Sequence, residues 1–280
     1  MPMLCLLLLL SPAAEAGPWV KPPGEAYVKA GGVAFTAEGF VRPDGVAVEG
    51  ADYLGATAHV YGEVGIVGPL QAVVNLPFVG SRNTFGEAAY VNRQFGDMDI
   101  GLEAGTRIGG AVPVSLQLLA KLPLYDNAEL LQYGLSSARF PAIGDGQVDL
   151  TAMAAVGSGL AAGGFRGWWS LEGGYRHRTE AWMGDSSEPD RELLDGIPWR
   201  AQVGWTPKFG DWDAGWWSLD GSGIQNFQTD EVTKQWVQVG SSLGVKVWRG
   251  LAVEAGYARM VWARASAQGQ SVSGGLSWTQ

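Results

Sequence analysis

Apolar and polar residues alternate with a period of two along most of this chain, the signature of strands with one apolar and one polar face. In residues 53–66, Leu54, Ala56, Ala58, Val60, Val64 and Ile66 share one face, and Tyr53, Thr57, His59, Tyr61 and Glu63 the other. In 97–108, Met98, Ile100, Leu102, Ala104 and Ile108 oppose Asp97, Asp99, Glu103 and Arg107. The stretches 112–125 and 147–157 repeat the pattern, with Leu116, Leu118, Leu122 and Leu124 against Gln117 and Lys121, and with Val148, Leu150 and Ala152 against Gln147, Asp149 and Thr151. These runs exceed an ordinary soluble strand of about 5–6 residues and suit a tilted membrane-crossing strand of about 9–11.

About twelve such stretches are predicted, at 24–37, 52–66, 69–80, 96–108, 111–125, 146–158, 165–178, 196–207, 212–222, 232–247, 250–263 and 269–280. Gly68-Pro69, Gly109-Gly110, Gly163-Gly164, Gly210-Asp211 and Arg249-Gly250 mark short turns after the even-numbered strands. Longer loops near 38–51, 81–95, 126–145, 179–195 and 223–231 follow the odd-numbered ones. An even strand count with short periplasmic turns and long extracellular loops predicts an all-β fold, a closed antiparallel transmembrane β-barrel. Only a closed barrel lets strands cross lipid with every backbone group paired.

Composition narrows the classes. Of 280 residues 42 are Gly, scattered through nearly every stretch, which argues against helices. A formal charge of -9 with no basic stripe excludes nucleic acid as a partner. Cys5 is the only cysteine, so no disulfide forms within the chain. It lies in the apolar run Met3–Leu10, which leads to Ala14-Glu15-Ala16 and reads as a signal peptide over 1–16, with the barrel over 17–280. That run is too short for a membrane-spanning helix. Trp19, Trp199, Trp205, Trp212, Trp248, Trp262 and Trp278 fall near predicted strand ends, where interfacial aromatic girdles belong.

The alternation assigns the polar faces to the lumen: His59, Tyr61 and Glu63 in the second stretch, Asp97, Asp99, Glu103 and Arg107 in the fourth, Lys121 in the fifth and Asp149 in the sixth. Arg166, Trp168, Glu172 and Arg176 follow in the seventh, Arg200 in the eighth, Lys234, Trp236 and Lys246 in the tenth, and Glu254 in the eleventh. Both signs are present, so these charges either satisfy one another or line a solute path. Tyr61, Trp168 and Trp236 offer ring faces to a planar or apolar solute, or simply fill a narrow lumen. Along 251–263, Leu251, Val253, Ala255 and Tyr257 share a face until Arg259 breaks the pattern, which marks a bulge or the membrane edge.

Several segments resemble, in order, a family of bacterial outer-membrane barrels labelled MetA-pathway of phenol degradation. They are Gly17-Pro18-Trp19-Val20-Lys21-Pro22-Pro23-Gly24-Glu25-Ala26-Tyr27-Val28-Lys29, Tyr61-Gly62-Glu63-Val64-Gly65, Val74-Asn75-Leu76-Pro77-Phe78-Val79 and Gly96-Asp97-Met98-Asp99-Ile100-Gly101-Leu102. Lys121-Leu122-Pro123, Gly144-Asp145-Gly146-Gln147-Val148-Asp149-Leu150 and Leu171-Glu172-Gly173-Gly174-Tyr175-Arg176-His177-Arg178-Thr179-Glu180 complete the series. The resemblance implies an outer-membrane transporter, with outer-membrane lipid, lipopolysaccharide and the barrel-assembly machinery as partners.

Three functional classes follow. The first is a passive channel for a small solute of apolar or aromatic character. The second is a structural or surface-binding barrel with a plugged lumen; here the acidic loop 180–195, with Glu180, Asp185, Glu188, Asp190, Glu192 and Asp195 against Arg191, is a candidate collector of divalent cations. The third, a lipid hydrolase, is disfavoured: only His59 and His177 are available as histidine bases, and His177 falls on the lipid face. No H-E-x-x-H motif or cysteine cluster points to a metal, and no cofactor is implied.

Overall fold

The computed structural model describes residues 17–280 apart from 86, 128–140, 163–164, 184–192, 210–211, 229 and 231. The signal peptide assigned to 1–16 therefore lies outside the described residues, as do Asp185, Glu188, Asp190, Arg191 and Glu192 of the acidic loop. The described elements are strands: β1 (Ala26–Val41), β2 (Ala47–Val67), β3 (Leu70–Phe85), β4 (Ala88–Phe95), β5 (Asp97–Ile108), β6 (Val112–Pro123), β7 (Gln147–Ala162), β8 (Phe165–Trp182), β9 (Gly196–Trp205), β10 (Lys208–Phe209), β11 (Trp212–Asp213), β12 (Gly215–Asn226), β13 (Gln235–Trp248), β14 (Leu251–Arg264) and β15 (Ser266–Thr279).

Thirteen of them form one antiparallel sheet that closes on itself, since β1 pairs with β15 from Tyr27↔Thr279 onward and also with β2, which pairs with β3. The strands β4 and β5 are two parts of one stave: β4 pairs with the outer half of β3 and β5 with its inner half, Gly96 standing between them. The barrel therefore has twelve staves. At the short-turn end, which is periplasmic by the architecture of such barrels, Gly109 and Gly110 have φ of 60° and 73° and Gly250 has 70°. Tight hairpin turns need this left-handed backbone, which side chains disfavour.

The faces divide as the alternation predicts. Outward Leu102, Leu118, Leu171 and Leu276 are 48%, 57%, 51% and 52% exposed, whereas inward Glu63, Asp97, Glu103 and Lys121 are buried. A continuous exposed apolar belt around a polar interior is stable only against lipid. Trp205, Trp217, Trp248 and Trp278 all project outward near the periplasmic end, Trp205 directly paired with Trp217, and form a girdle there. Trp199 and Trp262 are half-buried, and the side chain of Trp212 is outside the described residues.

Three expectations need correction. The loops expected at 38–51 and 81–95 are largely strand, because β1 and β2 pair out to Val41↔Ala47 and β3 and β4 out to Phe85↔Ala88. Their exposed outward positions include the charged Glu38, Asp52, Arg82 and Arg93, which break the apolar alternation. The stretch 212–222 splits at Ala214 into β11 and β12, and β12 runs on to Asn226. Trp19 is not in the girdle: it lies in the segment before β1, inside the barrel.

Candidate functional site: the barrel lumen

Residues 17–25 form a strap across the periplasmic mouth. Gly24 donates to the Gly65 carbonyl and Gly65 to the Glu25 carbonyl, both at 3.0 Å, which fixes the strap to β2. From there the Lys21 amide donates to Gln71 on β3 at 2.8 Å, and the Lys21 ammonium stands 3.9 Å from Glu63 and 5.4 Å from the centre of the Tyr27 ring. Val20 packs on Gly105 of β5, and Pro18 and Trp19 pack on Gly157 of β7. Side chains at those two glycines would occupy the space the strap takes.

Above the strap, the β3–β9 wall is filled by direct cross-strand neighbours. Glu103 lies between Gln71 and Gln117 in the register and accepts from both, at 2.9 and 3.3 Å. Arg176 donates to Thr151 and Asn75 to Asp99, each at 3.3 Å, and at the edge of this wall, within β2, Tyr61 donates to Glu63 at 2.5 Å. Glu172 faces Arg200 at 3.8 Å. Trp168 donates to Gln202 at 3.3 Å while its ring covers Gly204, where a Cβ would fall 2.1 Å from the indole.

Towards the extracellular end the charges gather around a segment folded inward. Lys121 reaches Asp145 at 2.7 Å, Asp149 at 2.9 Å and Asp97 at 3.9 Å, and Arg178 meets Asp145 at 2.6 Å. Tyr125 donates to Asp97 at 3.0 Å and accepts from the Gly146 amide at 2.7 Å. Asn127 donates to the Gly144 carbonyl at 3.0 Å, and Ile143 is fully buried against Val79 and Tyr125. Burial opposes the charge on Asp145, but Lys121 and Arg178 outweigh it and hold this carboxyl well below the usual carboxylate range. Asp145 and Arg178 were missed as lumen residues in the sequence. Arg178 carried a usable signal, since it shares a face with Arg176; Asp145 lies before its strand, where alternation says nothing.

The side formed by β12–β15, β1 and β2 is lined differently. Lys29 and Glu254 form a buried ion pair, to which Tyr27 donates a long hydrogen bond of 3.5 Å. His59 stands beside them, its Nε2 without a hydrogen-bond partner among the described residues, and a cavity of about 60 Å³ opens along Ser242, Gly256, Ser271 and Asp220. Further out, Phe35, Tyr53, Met260 and Ala263 form a buried apolar cluster with Trp236 packed against it, Phe35 and Tyr53 with ring centres 6.0 Å apart. Of these, the alternation put Tyr53 on the polar face and named Trp236 as a lumen aromatic; Phe35, Met260 and Ala263 become their neighbours through pairing across the closure of the barrel.

The remaining candidates lie at the rims. Arg107, Arg166 and Lys246 keep inward parity but are exposed at the periplasmic ends of their strands, beyond the packed lumen, so their expected lumen position is corrected. Lys234 is half-buried just before β13. His177 faces outward as expected, its Nδ1 3.1 Å from Asp195.

No family model matches this chain, and neither does any curated protein. The fold does match solved structures. An outer membrane channel from Pseudomonas putida F1 superposes with a TM-score of 0.65 at 9% identity, over 96% of this chain and 99% of that one. The beta domain of the Bordetella autotransporter BrkA gives 0.51 at 10% identity, over 92% and 100%. The NanC porin gives 0.50 at 8% identity, over 90% and 98%. With its lipid-facing belt and closed sheet, this chain is a twelve-stranded β-barrel of the bacterial outer membrane.

Proposed function

We propose that the barrel is a passive channel for a small solute with an apolar or aromatic body. The observation that carries this reading is the contrast between the two lumen walls. The β3–β9 side is packed with paired charges and amides, whereas the other side carries the single Lys29–Glu254 pair with His59 and Asp220 nearby and otherwise runs from the apolar cluster of Phe35, Tyr53, Met260 and Trp236 into small residues such as Ser242, Gly256 and Ser271. A ring or hydrocarbon body loses little on passing such a surface, and the aromatic cluster gives it a first resting place. The segments that resemble the MetA-pathway of phenol degradation family agree with a solute of this kind. A second reading, a structural barrel with a plugged lumen, is favoured by the strap through Trp19 and by the inward segment at Ile143.

Planar bilayer recording of the refolded chain separates the two. The channel reading expects unitary conductance, with phenol added outside producing concentration-dependent current noise that is lost in Trp236→Ala. Silence of the wild-type protein, with no phenol response, would leave the plugged barrel.

A further inference from the structure

One lumen carboxylate stands apart from the charge pairs. Asp220 of β12 lies opposite Gly240 of β13, and its Oδ2 takes up the room a side chain there would need, 2.9 Å from where a Cβ would fall. It has no hydrogen bond or ion pair among the described residues. Arg200, diagonal to it on β9, acts on it from a distance and stands 3.8 Å from Glu172. Asp220 borders the cavity of about 60 Å³, and so does His59, which is only 8% exposed and whose Nε2 has no hydrogen-bond partner among the described residues. Lys29 and Glu254 border it as well, but their charges cancel as an ion pair. With a neutral imidazole the cavity therefore carries one net negative charge, that of Asp220.

The cavity adjoins the apolar cluster. On β1 the inward position after Val33 is Phe35, on β14 the one after Ala258 is Met260, and on β13 the one before Gln238 is Trp236. Successive inward positions are about 7 Å apart along a strand. The cavity has the volume of about two water molecules, so it admits a small head group and no ring. A ring attached to that head group lies on the cluster next to it.

We propose that the solute is an arylalkylamine, with its protonated primary amine in this cavity on Asp220 and His59 and its ring on Phe35, Met260 and Trp236. This rests on the channel reading and names the class of solute the channel takes. A primary ammonium brings three donors and one positive charge. It offsets the charge of Asp220, donates to His59 Nε2 in the tautomer that accepts there, and gives its third proton to a serine hydroxyl such as that of Ser271. A hydroxyl head brings one donor and leaves the carboxylate charge uncompensated, while a carboxylate head meets Asp220 with like charge. The spacing selects a short alkyl link, since the two subsites are one inward position apart.

Planar bilayer recording of the refolded chain at neutral pH, with phenethylamine, phenethyl alcohol, hydrocinnamate or ethylamine added, tests this. Phenethylamine is expected to modulate the current at a concentration at least about tenfold lower than the other three, the increment of one charge-assisted hydrogen bond. Asp220→Asn is expected to abolish the preference for phenethylamine over phenethyl alcohol while conductance persists, and His59→Phe to weaken it. Trp236→Ala should reduce the response to both alike, and Arg107→Gln, at the exposed periplasmic rim, should behave as wild type. Heat-modifiable gel migration verifies that each variant is folded. Equal responses to phenethylamine and phenethyl alcohol, a preference that survives in Asp220→Asn, or ethylamine acting as well as phenethylamine would each overturn the proposal and leave the channel standing. A silent wild-type protein would overturn both.

Discussion

Lys121 and Asp145, 24 residues apart in the chain, meet at 2.7 Å inside the barrel. Their contact, reinforced by Arg178 on the same carboxylate at 2.6 Å, ties the segment entering β7 to the barrel wall. The inward course of residues 141–146 thus rests on charge pairing as well as on burial of Ile143.

Lys121→Met is expected to destabilise the barrel by about 3–5 kcal/mol, because Asp145 and Asp149 lose a buried counter-charge. Denaturant unfolding of the refolded protein measures this. Asp145→Asn in the Lys121→Met background should recover part of the loss, since it removes one of the stranded charges; no recovery would place the damage in packing instead.

The same carboxylate sets an acid limit. Its pKa is depressed in the folded protein, so the stability it contributes is full above the ordinary carboxylate value near ~4 and is lost as pH falls through its lower folded value. Stability measured from pH 7 downward should therefore hold to about pH 4 and decline below it. In Asp145→Asn the decline should be shallower.

Removing residues 17–23 takes away Trp19, Val20 and Lys21 from the periplasmic mouth while leaving β1 whole. Bilayer recordings of this variant are expected to show a larger unitary conductance than wild type, with heat-modifiable migration retained. An unchanged conductance would mean that the narrowest point lies elsewhere, at the inward segment around Ile143.

Gly204 is covered by the Trp168 indole and Gly244 by that of Trp216, with a Cβ at either falling 2.1 or 2.2 Å from the ring. Gly204→Ala must displace a ring that also donates to Gln202, and a cost of about 1–3 kcal/mol is expected in denaturant unfolding. Gly173, around which the structure is open, should accept alanine with a much smaller change.

The sequence by itself determined the barrel. Lipid demands an apolar side chain at every second position, so Leu102 against Glu103 and Leu118 against Lys121 already stated which face was which, and Gly109-Gly110 stated where the chain turned. It placed His59, Glu63, Asp97, Lys121, Asp149 and Glu172 inside for the same reason. Only the tertiary structure decided what those groups do there. The strap carrying Trp19, the fold-back that brings Asp145 to Lys121, and the aromatic cluster of Phe35 with Tyr53 and Met260 all join residues distant in sequence. Their neighbours are set by strand register and by the closure of β1 on β15, and a local period of two fixes the side of the wall a residue faces but not what stands across from it.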